Sequence, residues 1–470
     1  MLLLHADQVA YHYPQNDRGV GPVSLGVNAG EVLLIRGPSG CGKSTLARCL
    51  TGFVPHLYVG DLHGQVMVDG LDTAVTPLWQ LTEQVGLLFQ NPANQMLTDS
   101  VENEILFGLE NMGLSRTNMG ERLEMVLEQF SLSQLRHREP LTLSGGEQQR
   151  LTLAAVMARQ PQVLVLDEPF SMLDTTAAAD LVADLARLVE MGTAVIVCEH
   201  RTNILHQLPN LRELTLPGKS PAQQNIQSAS IEPKTASLQL NIEGLNVVLG
   251  GQPVLTDFTM SANGGEIVSL VGRNGVGKTT LLRTLAGMQE YEGEVAVNGR
   301  LTQFGLVFQN PDLQLFNASV RDEILYRLPQ PDMHRYHNLL AALGLESYET
   351  TPPLLLSEGE KKRLALATVL MQQPAHGLLL DEPTLGQDAV HKAILQSLLR
   401  QIANSGQIVL ITTHDLPLAA QADRIVLLGD NGILADGPPE TVFTDSRAWE
   451  RAGLVVPDWI FKKEEIRLCN

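Results

Sequence analysis

The sequence predicts an α/β fold that is built twice in tandem, with a largely parallel sheet covered on both faces in each copy. A set of five short motifs occurs twice, in the same order, along the 470 residues. Within each copy, apolar runs that suit strands alternate with stretches that suit helices, which is typical of parallel sheets. The length is consistent with two large domains or three smaller ones, and the 44% of hydrophobic residues is enough for each to have a packed core.

The repeat keeps the order of its motifs while the segments between them shorten. The motifs of the first copy are GPSGCGKST at 37–45, LFQNPANQ at 88–95, LSGGEQQR at 143–150, VLVLDEP at 163–169 and His200. Those of the second copy are GRNGVGKTT at 272–280, VFQNPDLQ at 307–314, LSEGEKKR at 356–363, GLLLDEP at 377–383 and His414. Such a pattern indicates two diverged copies of one domain.

The boundary between the copies is predicted at residues 217–237. This segment, PGKSPAQQNIQSASIEPKTAS, is rich in Ser, Pro, Gln and Ala and has no apolar period, so it is interpreted as a linker. The first domain is then expected over 1–216 and the second over 238–470. About 20 extended residues span roughly 65 Å, which lets the two halves pack face to face within one chain.

Composition argues against several classes of function. The net charge of -19 disfavours broad electrostatic attraction to nucleic acid or anionic lipid, and 4% aromatic residues disfavour base stacking. No run approaches the roughly 18 apolar residues of a membrane span, and the N-terminus lacks the features of a secretion signal. The cysteines form no CxxC pair, so we expect no zinc site and a reduced, cytosolic chain.

Both GxxxxGK[ST] segments lie between a strand-like and a helix-like run, the context that a phosphate-binding loop requires. Glycines let backbone N–H groups curl around phosphates, and the start of the following helix adds a positive dipole end. Lys43 and Lys278 are predicted to contact the β- and γ-phosphates, and Ser44 and Thr279 to ligate Mg²⁺. The nucleotide-binding residues predicted in these loops are Gly37, Ser39, Gly40, Gly42, Lys43, Ser44 and Thr45, and Gly272, Asn274, Gly275, Gly277, Lys278, Thr279 and Thr280.

An Asp-Glu pair follows the apolar run of each DEP motif. Asp167 and Asp381 suit the metal side of a phosphate loop, because they end a buried strand downstream of it. Glu168 and Glu382 come one residue later and are predicted to polarise an attacking water. The sequence therefore predicts two catalytic carboxylates, one in each copy.

Together, the motifs resemble the nucleotide-binding domains of ATP-binding cassette (ABC) proteins over nearly the whole chain, and the LSGGE-type signatures are the most specific part. The resemblance implies two tandem P-loop NTPase domains of the ABC type that bind ATP and Mg²⁺ and hydrolyse ATP. It implies that Gln90 and Gln309 sense Mg²⁺ and the water and couple the site to a membrane partner, and that His200 and His414 contact the γ-phosphate. It also makes SMLD at 171–174 and TLGQD at 384–388 the D-loops.

In that family the signature of one domain closes over the ATP held by the other, so the resemblance implies an intramolecular pseudo-dimer with two composite sites. ATP would join the halves and hydrolysis would release them. The first composite site would combine Lys43, Ser44, Gln90, Asp167, Glu168 and His200 with Ser357 and Gly359. The second would combine Lys278, Thr279, Gln309, Asp381, Glu382 and His414 with Ser144, Gly145 and Gly146.

The two copies depart from the family pattern in different places. Tyr13 matches the aromatic residue that stacks on adenine, whereas the second copy reads LNVVLGG at 245–251 and has no aromatic there. The second signature has Glu358 where the family usually has Gly, and a carboxylate turned toward the γ-phosphate would repel it. We therefore expect both sites to bind ATP and to hydrolyse it at unequal rates.

The segments after each glutamine, 90–113 and 309–326, resemble those of the ATPases of energy-coupling factor (ECF) importers. That resemblance implies docking on an integral-membrane coupling subunit, which works with a small substrate-binding membrane subunit, at the cytoplasmic face of the cell membrane. It implies uptake of a vitamin or other micronutrient, with thiamine or its pyrimidine precursor as one candidate. The docking interpretation predicts that charge reversal at Glu102 or Glu104 weakens complex formation and leaves ATP binding intact.

Other tandem ATPases of this family remain as alternatives. In sugar importers the segment after the glutamine usually lacks the QNPxxQ stretch, and ribosome-acting members normally carry a long, charged helical linker. A chromosome-repair ATPase would need a long coiled coil, for which the motif spacing leaves no room. The last stretch, 447–470, is predicted to pack on the second half or to contribute to dimer contacts.

Overall fold

The computed structural model describes residues 1–14, 19–38, 40–170, 173, 175–199, 205–217, 238–384, 387, 389–430 and 432–456. The chain divides into two compact units, Met1–Ser220 and Pro221–Asn470. All of the predicted linker except its first residue lies outside the described residues. The predicted domain bounds, 1–216 and 238–470, therefore stay a prediction.

The first unit alternates strands and helices along its described residues. Its strands are β1 (Leu2–His12), β2 (Gly19–Asn28), β3 (Val32–Arg36), β4 (Asp61–Val68), β5 (Leu71–Asp72), β6 (Val85–Leu88), β7 (Val163–Asp167), β8 (Ala194–Cys198) and β9 (Leu211–Thr215). Its helices are α1 (Lys43–Leu50), α2 (Phe53–His56), α3 (Leu78–Leu81), α4 (Val101–Asn111), α5 (Arg116–Gln129), α6 (Gly145–Met157) and α7 (Thr175–Glu190). Short 3₁₀ turns lie at Pro92–Gln95, Ser133–Leu135, Pro140–Thr142 and Leu205–Gln207.

A five-stranded parallel sheet, in the order β6-β7-β8-β3-β9, forms the centre of the first unit. Strands β7 and β8 are buried along their whole length, as expected for continuous apolar runs in a parallel sheet that is covered on both faces. Alternate residues of β7 enter opposite cores: Leu164 and Leu166 pack with residues of α4 to α7, while Val163 and Val165 pack with α1 and residues of β1 and β2. The covering layer on the second face includes an antiparallel sheet, β2-β1-β4-β5, which the sequence did not predict.

The second unit repeats this architecture. Its strands are β10 (Gln239–Leu249), β11 (Gln252–Asn263), β12 (Ile267–Val271), β13 (Glu292–Val297), β14 (Phe304–Val307), β15 (Gly377–Asp381), β16 (Ile408–Thr412), β17 (Arg424–Gly429) and β18 (Gly432–Gly437). Its helices are α8 (Lys278–Leu285), α9 (Val320–Ile324), α10 (Met333–Ala342), α11 (Glu358–Met371), α12 (Ala389–Asn404), α13 (Leu416–Ala419), α14 (Pro439–Thr444) and α15 (Ser446–Arg451). Short 3₁₀ turns lie at Pro311–Leu313, Glu346–Tyr348 and Pro353–Leu355.

The sheets of the second unit match those of the first, with one addition at the edge. Strands β14-β15-β16-β12-β17 are parallel, and β18 joins the edge antiparallel to β17, while β11-β10-β13 form the antiparallel layer. Beyond β18, Trp449 is buried and stacks on Phe443 with the ring centroids 5.4 Å apart. The described part of the predicted C-terminal stretch therefore packs on the second unit, and residues 457–470 lie outside the described ones.

The topology brings the ends of the motif-bearing strands to one edge of each sheet. In the first unit β3 leads into the phosphate loop, and its neighbour β8 pairs with β7 so that Asp167 lies opposite Cys198. In the second unit β12 leads into the loop, and Asp381 lies opposite Thr412. Because the carboxyl ends of parallel strands share an edge, residues from distant motifs meet there.

Candidate active sites

Each glycine-rich loop turns sharply between a central strand and a helix. Gly42 and Gly277 precede the first residues of α1 and α8, with φ of 98° and 95°. A Cβ at Gly42 would lie 2.5 Å from the carbonyl oxygen of Gly19, and one at Gly277 would lie 2.8 Å from a methyl carbon of Leu255. Both the left-handed backbone and the close contact require glycine at these positions.

The lysine of each loop is buried and turns back over its own loop. Lys43 Nζ donates hydrogen bonds to the carbonyl oxygens of Gly37 at 2.9 Å and Pro38 at 3.2 Å. Lys278 Nζ donates to those of Gly272 at 2.6 Å and Arg273 at 2.8 Å. Each ammonium group is therefore held inside the curl of the loop, beside the N-terminus of the following helix.

In the second unit, three side chains form a hydrogen-bonded chain from the sheet to the loop. Thr412 Oγ1 donates to Asp381 Oδ1 at 2.5 Å, and Thr279 Oγ1 donates to Asp381 Oδ2 at 2.8 Å. Burial raises the pKa of the Asp381 carboxyl, and the two hydroxyl hydrogen bonds oppose that shift. Both carboxylate oxygens are thereby fixed, which sets the direction in which Thr279 presents its lone pairs.

In the first unit, the same chain is incomplete. Ser44 donates a hydrogen bond to Asp167, but Cys198 occupies the position of Thr412 and its thiol lies 3.7 Å from the carbonyl oxygen of Lys43. Asp167 Oδ1 is buried and has no hydrogen-bond partner among the described residues. Burial, together with the neighbouring Glu168, raises the pKa of Asp167 to about 6, against the Ser44 hydrogen bond.

The predicted catalytic glutamates share an uncommon backbone conformation. Glu168 and Glu382 are buried, and each has a φ of 48°. The N–H of Glu168 donates to the carbonyl oxygen of Cys198 at 2.8 Å, and that of Glu382 donates to the carbonyl oxygen of Thr412 at 3.1 Å. A left-handed backbone conformation costs a non-glycine residue about 1–3 kcal/mol, and such residues are concentrated at functional sites. The hydrogen bonds to the neighbouring strand hold each glutamate in this conformation.

Different groups contact the two glutamate carboxylates among the described residues, which do not include His200. Gln90 Nε2 donates to Glu168 Oε2 at 2.9 Å. In the second unit the backbone N–H of His414 donates to Glu382 Oε2 at 3.1 Å, and the His414 ring nitrogen Nε2 lies 3.4 Å from Glu382 Oε1. The same ring nitrogen lies 2.8 Å from Asn274 Oδ1 in the phosphate loop. The second site thus joins its loop, its histidine and its glutamate directly.

Each signature begins a helix with a capping box. Ser144 caps α6 and Ser357 caps α11, and in both the glutamate three residues on reaches back to the serine N–H. The predicted signature residues Gly145, Gly146 and Gly359 lie in the first turns of these helices. Both serines are therefore fixed at a helix N-terminus, where backbone N–H groups and the helix dipole favour an anion.

The predicted adenine-stacking residue belongs to an aromatic and cationic cluster. Tyr13 lies edge-on to Tyr11 at 4.8 Å, and its hydroxyl accepts a hydrogen bond of 2.9 Å from Arg48. Arg48 in turn lies over the ring of Tyr58, 4.8 Å from its centroid. The matching part of the second unit, at the end of β10, has exposed aliphatic residues and no aromatic, as the sequence indicates.

The segments after Gln90 and Gln309 contain residues whose roles the sequence did not reveal. Gln95 Oε1 accepts the N–H of Phe89 at 2.8 Å, and Gln314 Oε1 accepts that of Phe308 at 3.1 Å. These glutamines brace the strand end that carries the first glutamine of the motif. The duplicated QNPxxQ spacing was the signal for them, since the second glutamine recurs with the first.

Glu104 and its counterpart Glu323 are buried and hold these same segments. Glu104 Oε2 accepts the N–H groups of Leu97 at 3.0 Å and Thr98 at 2.9 Å. Glu323 Oε2 accepts those of Phe316 at 2.8 Å and Asn317 at 2.7 Å. The Glu104 carboxylate therefore faces inward and shapes the loop, so it is not exposed on the predicted docking segment, and the effect of its charge reversal on complex formation stays a prediction.

Some predicted residues lie outside the described ones, namely Ser39, His200, 171–172, 174, 385–386 and 388. The remaining predicted site residues are described, and within each unit the structure brings the phosphate loop to the strand-end acids. Gln309 is described and half-buried, and it makes no side-chain hydrogen bond among the described residues. The pairing of each loop with the signature of the other unit stays a prediction.

The donor set suits a hard cation. Hydroxyl, carboxylate and side-chain amide oxygens are the ligands that Mg²⁺ prefers, and the loop hydroxyls and strand-end carboxylates supply them. The unpartnered Asp167 Oδ1 is a buried charged oxygen that a cation or its water shell can satisfy. In the part of the chain that the structure describes, no helix combines the length and apolar character needed to cross a bilayer.

Comparison with known proteins gives matches along nearly the whole chain. The model of the ABC transporter family matches residues 20–171 and 255–385. A Bacillus subtilis (strain 168) protein, provisionally named HMP/thiamine import ATP-binding protein YkoD, is 32% identical over 99% of this chain and 97% of its own length. A Methanosarcina mazei protein, provisionally named ABC transporter ATP-binding protein, is 31% identical over 97% of this chain and 92% of its own length. A structure of ribosome-bound archaeal Pelota and ABCE1 aligns with 95% of this chain and 81% of that chain, with a TM-score of 0.64 and 20% identity, which shows the fold alone.

Proposed function

Because the chain belongs to the ABC transporter family of ATP-binding proteins, we propose that it is the ATP-hydrolysing subunit of an ECF-type importer for a vitamin or other micronutrient. Both matched segments are ATP-binding domains of that family, so the chain is an ATPase. The family pairs such subunits with membrane proteins. The proposal adds the type of importer, the residues that act and the partners.

The proposed sites each use a lysine, a hydroxyl residue and two acids. Lys43 and Lys278 bind the phosphates of ATP, while Ser44 and Thr279, with Gln90, Gln309, Asp167 and Asp381, hold Mg²⁺. When bound, Mg²⁺ offsets the charge that develops on the phosphate oxygens. Glu168 and Glu382 orient the attacking water and accept its proton.

The two domains, 1–216 and 238–470, are proposed to act as an intramolecular pseudo-dimer through the linker at 217–237. Each ATP is then held between one phosphate loop and the other domain's signature, Ser357 and Gly359 in one case and Ser144, Gly145 and Gly146 in the other. ATP stabilises the closed state, and hydrolysis removes that stabilisation. His200 and His414 contact the γ-phosphate in this arrangement.

The observation that carries the importer proposal is a pair of exposed apolar residues on the two segments after the glutamines. In each unit a buried glutamate fixes the segment so that one residue turns inward and the next turns outward. Leu315 is buried while Phe316 is 65% exposed, and Met96 packs against the core while Leu97 is 72% exposed. Exposed apolar residues on a rigid, duplicated loop favour a protein partner with two related docking sites.

The substrate class comes from the Bacillus relative, whose name assigns it to HMP/thiamine import. The alignment with this relative covers 99% of this chain and 97% of the relative, so both proposed domains lie within the match. The proposed partners are an integral-membrane coupling subunit and a small substrate-binding membrane subunit, with no nucleic acid. The chain would then lie at the cytoplasmic face of the cell membrane as a peripheral subunit.

The test is affinity purification of the tagged chain from detergent-solubilised membranes, followed by mass spectrometry of the proteins that co-elute. A hydrophobic coupling protein together with a small, very hydrophobic integral protein supports the proposal. A pair of sugar-permease-like subunits supports a tandem sugar importer instead. Ribosomal proteins alone, from a soluble fraction, overturn the transport function and leave the ATPase activity.

Point variants sharpen this test. We expect Leu97→Asp and Phe316→Asp to reduce recovery of the coupling protein by about 10-fold or more, the effect of removing a central apolar anchor. Val75→Asp and Leu301→Asp are matched controls, since these residues are 77% and 81% exposed outside the two segments. Equal recovery with all four variants would exclude the proposed docking segments.

A further inference from the structure

The two strand-end aspartates differ in how completely they are held. In the second unit Thr412 and Thr279 each donate a hydrogen bond to Asp381, one to each carboxylate oxygen. In the first unit Asp167 receives the hydrogen bond from Ser44, and its Oδ1 has no hydrogen-bond partner among the described residues. The difference lies in one position of the sheet, where Cys198 replaces Thr412.

Cys198 does not substitute for the hydroxyl. Its thiol is a weak donor, it is fully buried, and the acceptor within its reach is the carbonyl oxygen of Lys43 at 3.7 Å. Thr412 is equally buried, but its hydroxyl donates a hydrogen bond to the Asp381 carboxylate. Both residues lie directly opposite their aspartate in a parallel strand pair, so the surrounding backbone is matched.

We propose that Thr412 is a positioning residue for the metal side of the second ATP site, and that Cys198 leaves the first site without this support, so that the two sites bind Mg²⁺·ATP with different affinity for the metal. This inference rests on the proposed Mg²⁺·ATP sites. Thr412 acts through Asp381, which fixes the hydroxyl of Thr279. The asymmetry is therefore built into the sheet, in addition to the differences at Tyr13 and Glu358.

Which site binds the metal more tightly follows from the free-energy cost of orienting the aspartate carboxylate. A carboxylate held at both oxygens is already in its bound geometry, whereas one held at a single oxygen loses rotational freedom when a metal site forms. Residues that orient the ligands of a metal change its affinity by roughly 10- to 100-fold when they are mutated. We expect the second site to bind the metal more tightly than the first.

The experiment uses Mn²⁺ in place of Mg²⁺, with a non-hydrolysable ATP analogue, on the full-length chain. Electron paramagnetic resonance measures free Mn²⁺, so metal affinity is read without turnover. A Lys43→Ala background restricts analogue binding to the second site, and a Lys278→Ala background restricts it to the first. The parent affinities should differ, with the second site tighter by about 10-fold.

Three variants test the hydroxyl of the second site. Thr412→Val keeps the shape and removes the hydroxyl, Thr412→Cys copies the first site, and Thr412→Ser keeps the hydroxyl. We expect the first two to weaken Mn²⁺ binding by about 10-fold and Thr412→Ser to stay within about twofold of the parent. Parental affinity in Thr412→Val, or equal weakening in Thr412→Ser, would overturn the role of the hydroxyl.

The reciprocal change makes the test independent of damage to the fold. Cys198→Ser and Cys198→Thr supply the missing donor beside Asp167, and we expect either to tighten Mn²⁺ binding at the first site several-fold. Unfolding cannot produce such a gain, and thermal melting without nucleotide checks all variants. Unchanged affinity in both would contradict the proposal, whereas the absence of any analogue-dependent Mn²⁺ binding in the parents would instead overturn the proposed sites themselves.

Discussion

The side-chain amide of Gln90 donates a 2.9 Å hydrogen bond to Glu168 Oε2, a relationship that the second unit does not repeat. Gln309 makes no side-chain hydrogen bond in the described part of the chain, and Glu382 is contacted there by the backbone and ring of His414. Among the described contacts, Glu168 is tied to Gln90 at the start of the proposed docking segment, and Glu382 is tied to His414. A partner that moves the segment after Gln90 would act directly on Glu168.

The departures of the two copies at Tyr13 and Glu358 lead to a prediction for the proposed catalytic glutamates. Glu168→Gln and Glu382→Gln keep the shape of the side chain and remove its ability to accept a proton, so each should lower ATP turnover. We expect the two reductions to be unequal and the double variant to lose about 100-fold or more. Steady-state phosphate release at saturating Mg²⁺·ATP is the measurement.

The matched control for these variants is Glu128→Gln, on the exposed surface of α5. It should hydrolyse ATP at the wild-type rate. Equal loss of turnover in Glu168→Gln and Glu382→Gln would contradict the asymmetry, and wild-type turnover in the double variant would exclude both glutamates as the catalytic bases.

Replacing the unusual glutamate of the second signature gives another prediction. Glu358 Oε1 lies 3.5 Å from Lys361 Nζ in the first turn of α11, so the Glu358 carboxylate points toward a lysine of its own helix. Glu358→Gly should therefore not lower ATP turnover, whereas the free energy of unfolding should fall by about 1 kcal/mol, because glycine is a poor helix former and a favourable charge at the helix start is lost. Phosphate release and urea unfolding measure the two effects.

Glu358→Gln separates the charge from the backbone, since it keeps the side chain without the carboxylate. It should match Glu358→Gly in turnover and lose less stability. The reverse change, Gly145→Glu, places a carboxylate in the first signature and should lower turnover if this position faces the γ-phosphate in the closed state. A clear drop in turnover for Glu358→Gly would show that the carboxylate contributes to the second signature.

Contiguous sequence motifs predicted the fold class and most residues of the candidate sites. The phosphate loops, the strand-end acids and the capped signature serines are each set by neighbouring residues, so sequence patterns suffice for them. The antiparallel layers were missed although β1 and β10 are long, because register shifts, such as those between Ala6 and Val9 and between Ile242 and Leu245, interrupt the apolar alternation that indicates a strand. The α/β fold and its duplication are confirmed by the structure.

Contacts between residues that are far apart in the chain could not be predicted from the sequence. Thr412 reaches Asp381 because two parallel strands pair in one register, and no local pattern specifies which residues lie opposite. The docking prediction used Glu104 on a helix thought to face the partner, where a glutamate is usually exposed, whereas its side chain is buried. Its burial depends on backbone N–H groups that lie six and seven residues earlier and that turn toward it in the folded loop.

The burial of Glu104 predicts a large loss of stability on mutation. Glu104→Ala leaves the N–H groups of Leu97 and Thr98 without their acceptor, at a cost of about 2 kcal/mol in the free energy of unfolding. Glu323→Ala should behave alike in the second unit, since Glu323 makes equivalent bonds. Urea unfolding measures the loss, and hydrogen exchange at the two loop amides should accelerate.

Glu104→Gln is the conservative control, because its amide oxygen still accepts these hydrogen bonds. It should lose less than half as much stability as Glu104→Ala. An alanine variant as stable as the wild type would mean that the loop does not depend on this carboxylate, and the docking segments would then lack a common support.

The ion pair between Glu102 and Arg136 predicts a specific pH dependence. Arg136 donates two hydrogen bonds to Glu102, of 3.0 Å and 2.8 Å, and these hydrogen bonds lower the pKa of the Glu102 carboxyl against the opposing effect of burial. A group whose pKa is lowered by folding stabilises the protein fully above its unfolded pKa of about 4.3 and loses that stabilisation as the pH falls through its folded pKa.

Since the pair is partly exposed, Glu102→Gln should cost at most about 1 kcal/mol at pH 7. The difference in unfolding free energy between wild type and Glu102→Gln should shrink steadily below about pH 4. A difference that grows as the pH falls would show that the neutral form of Glu102 is the one that the folded state prefers.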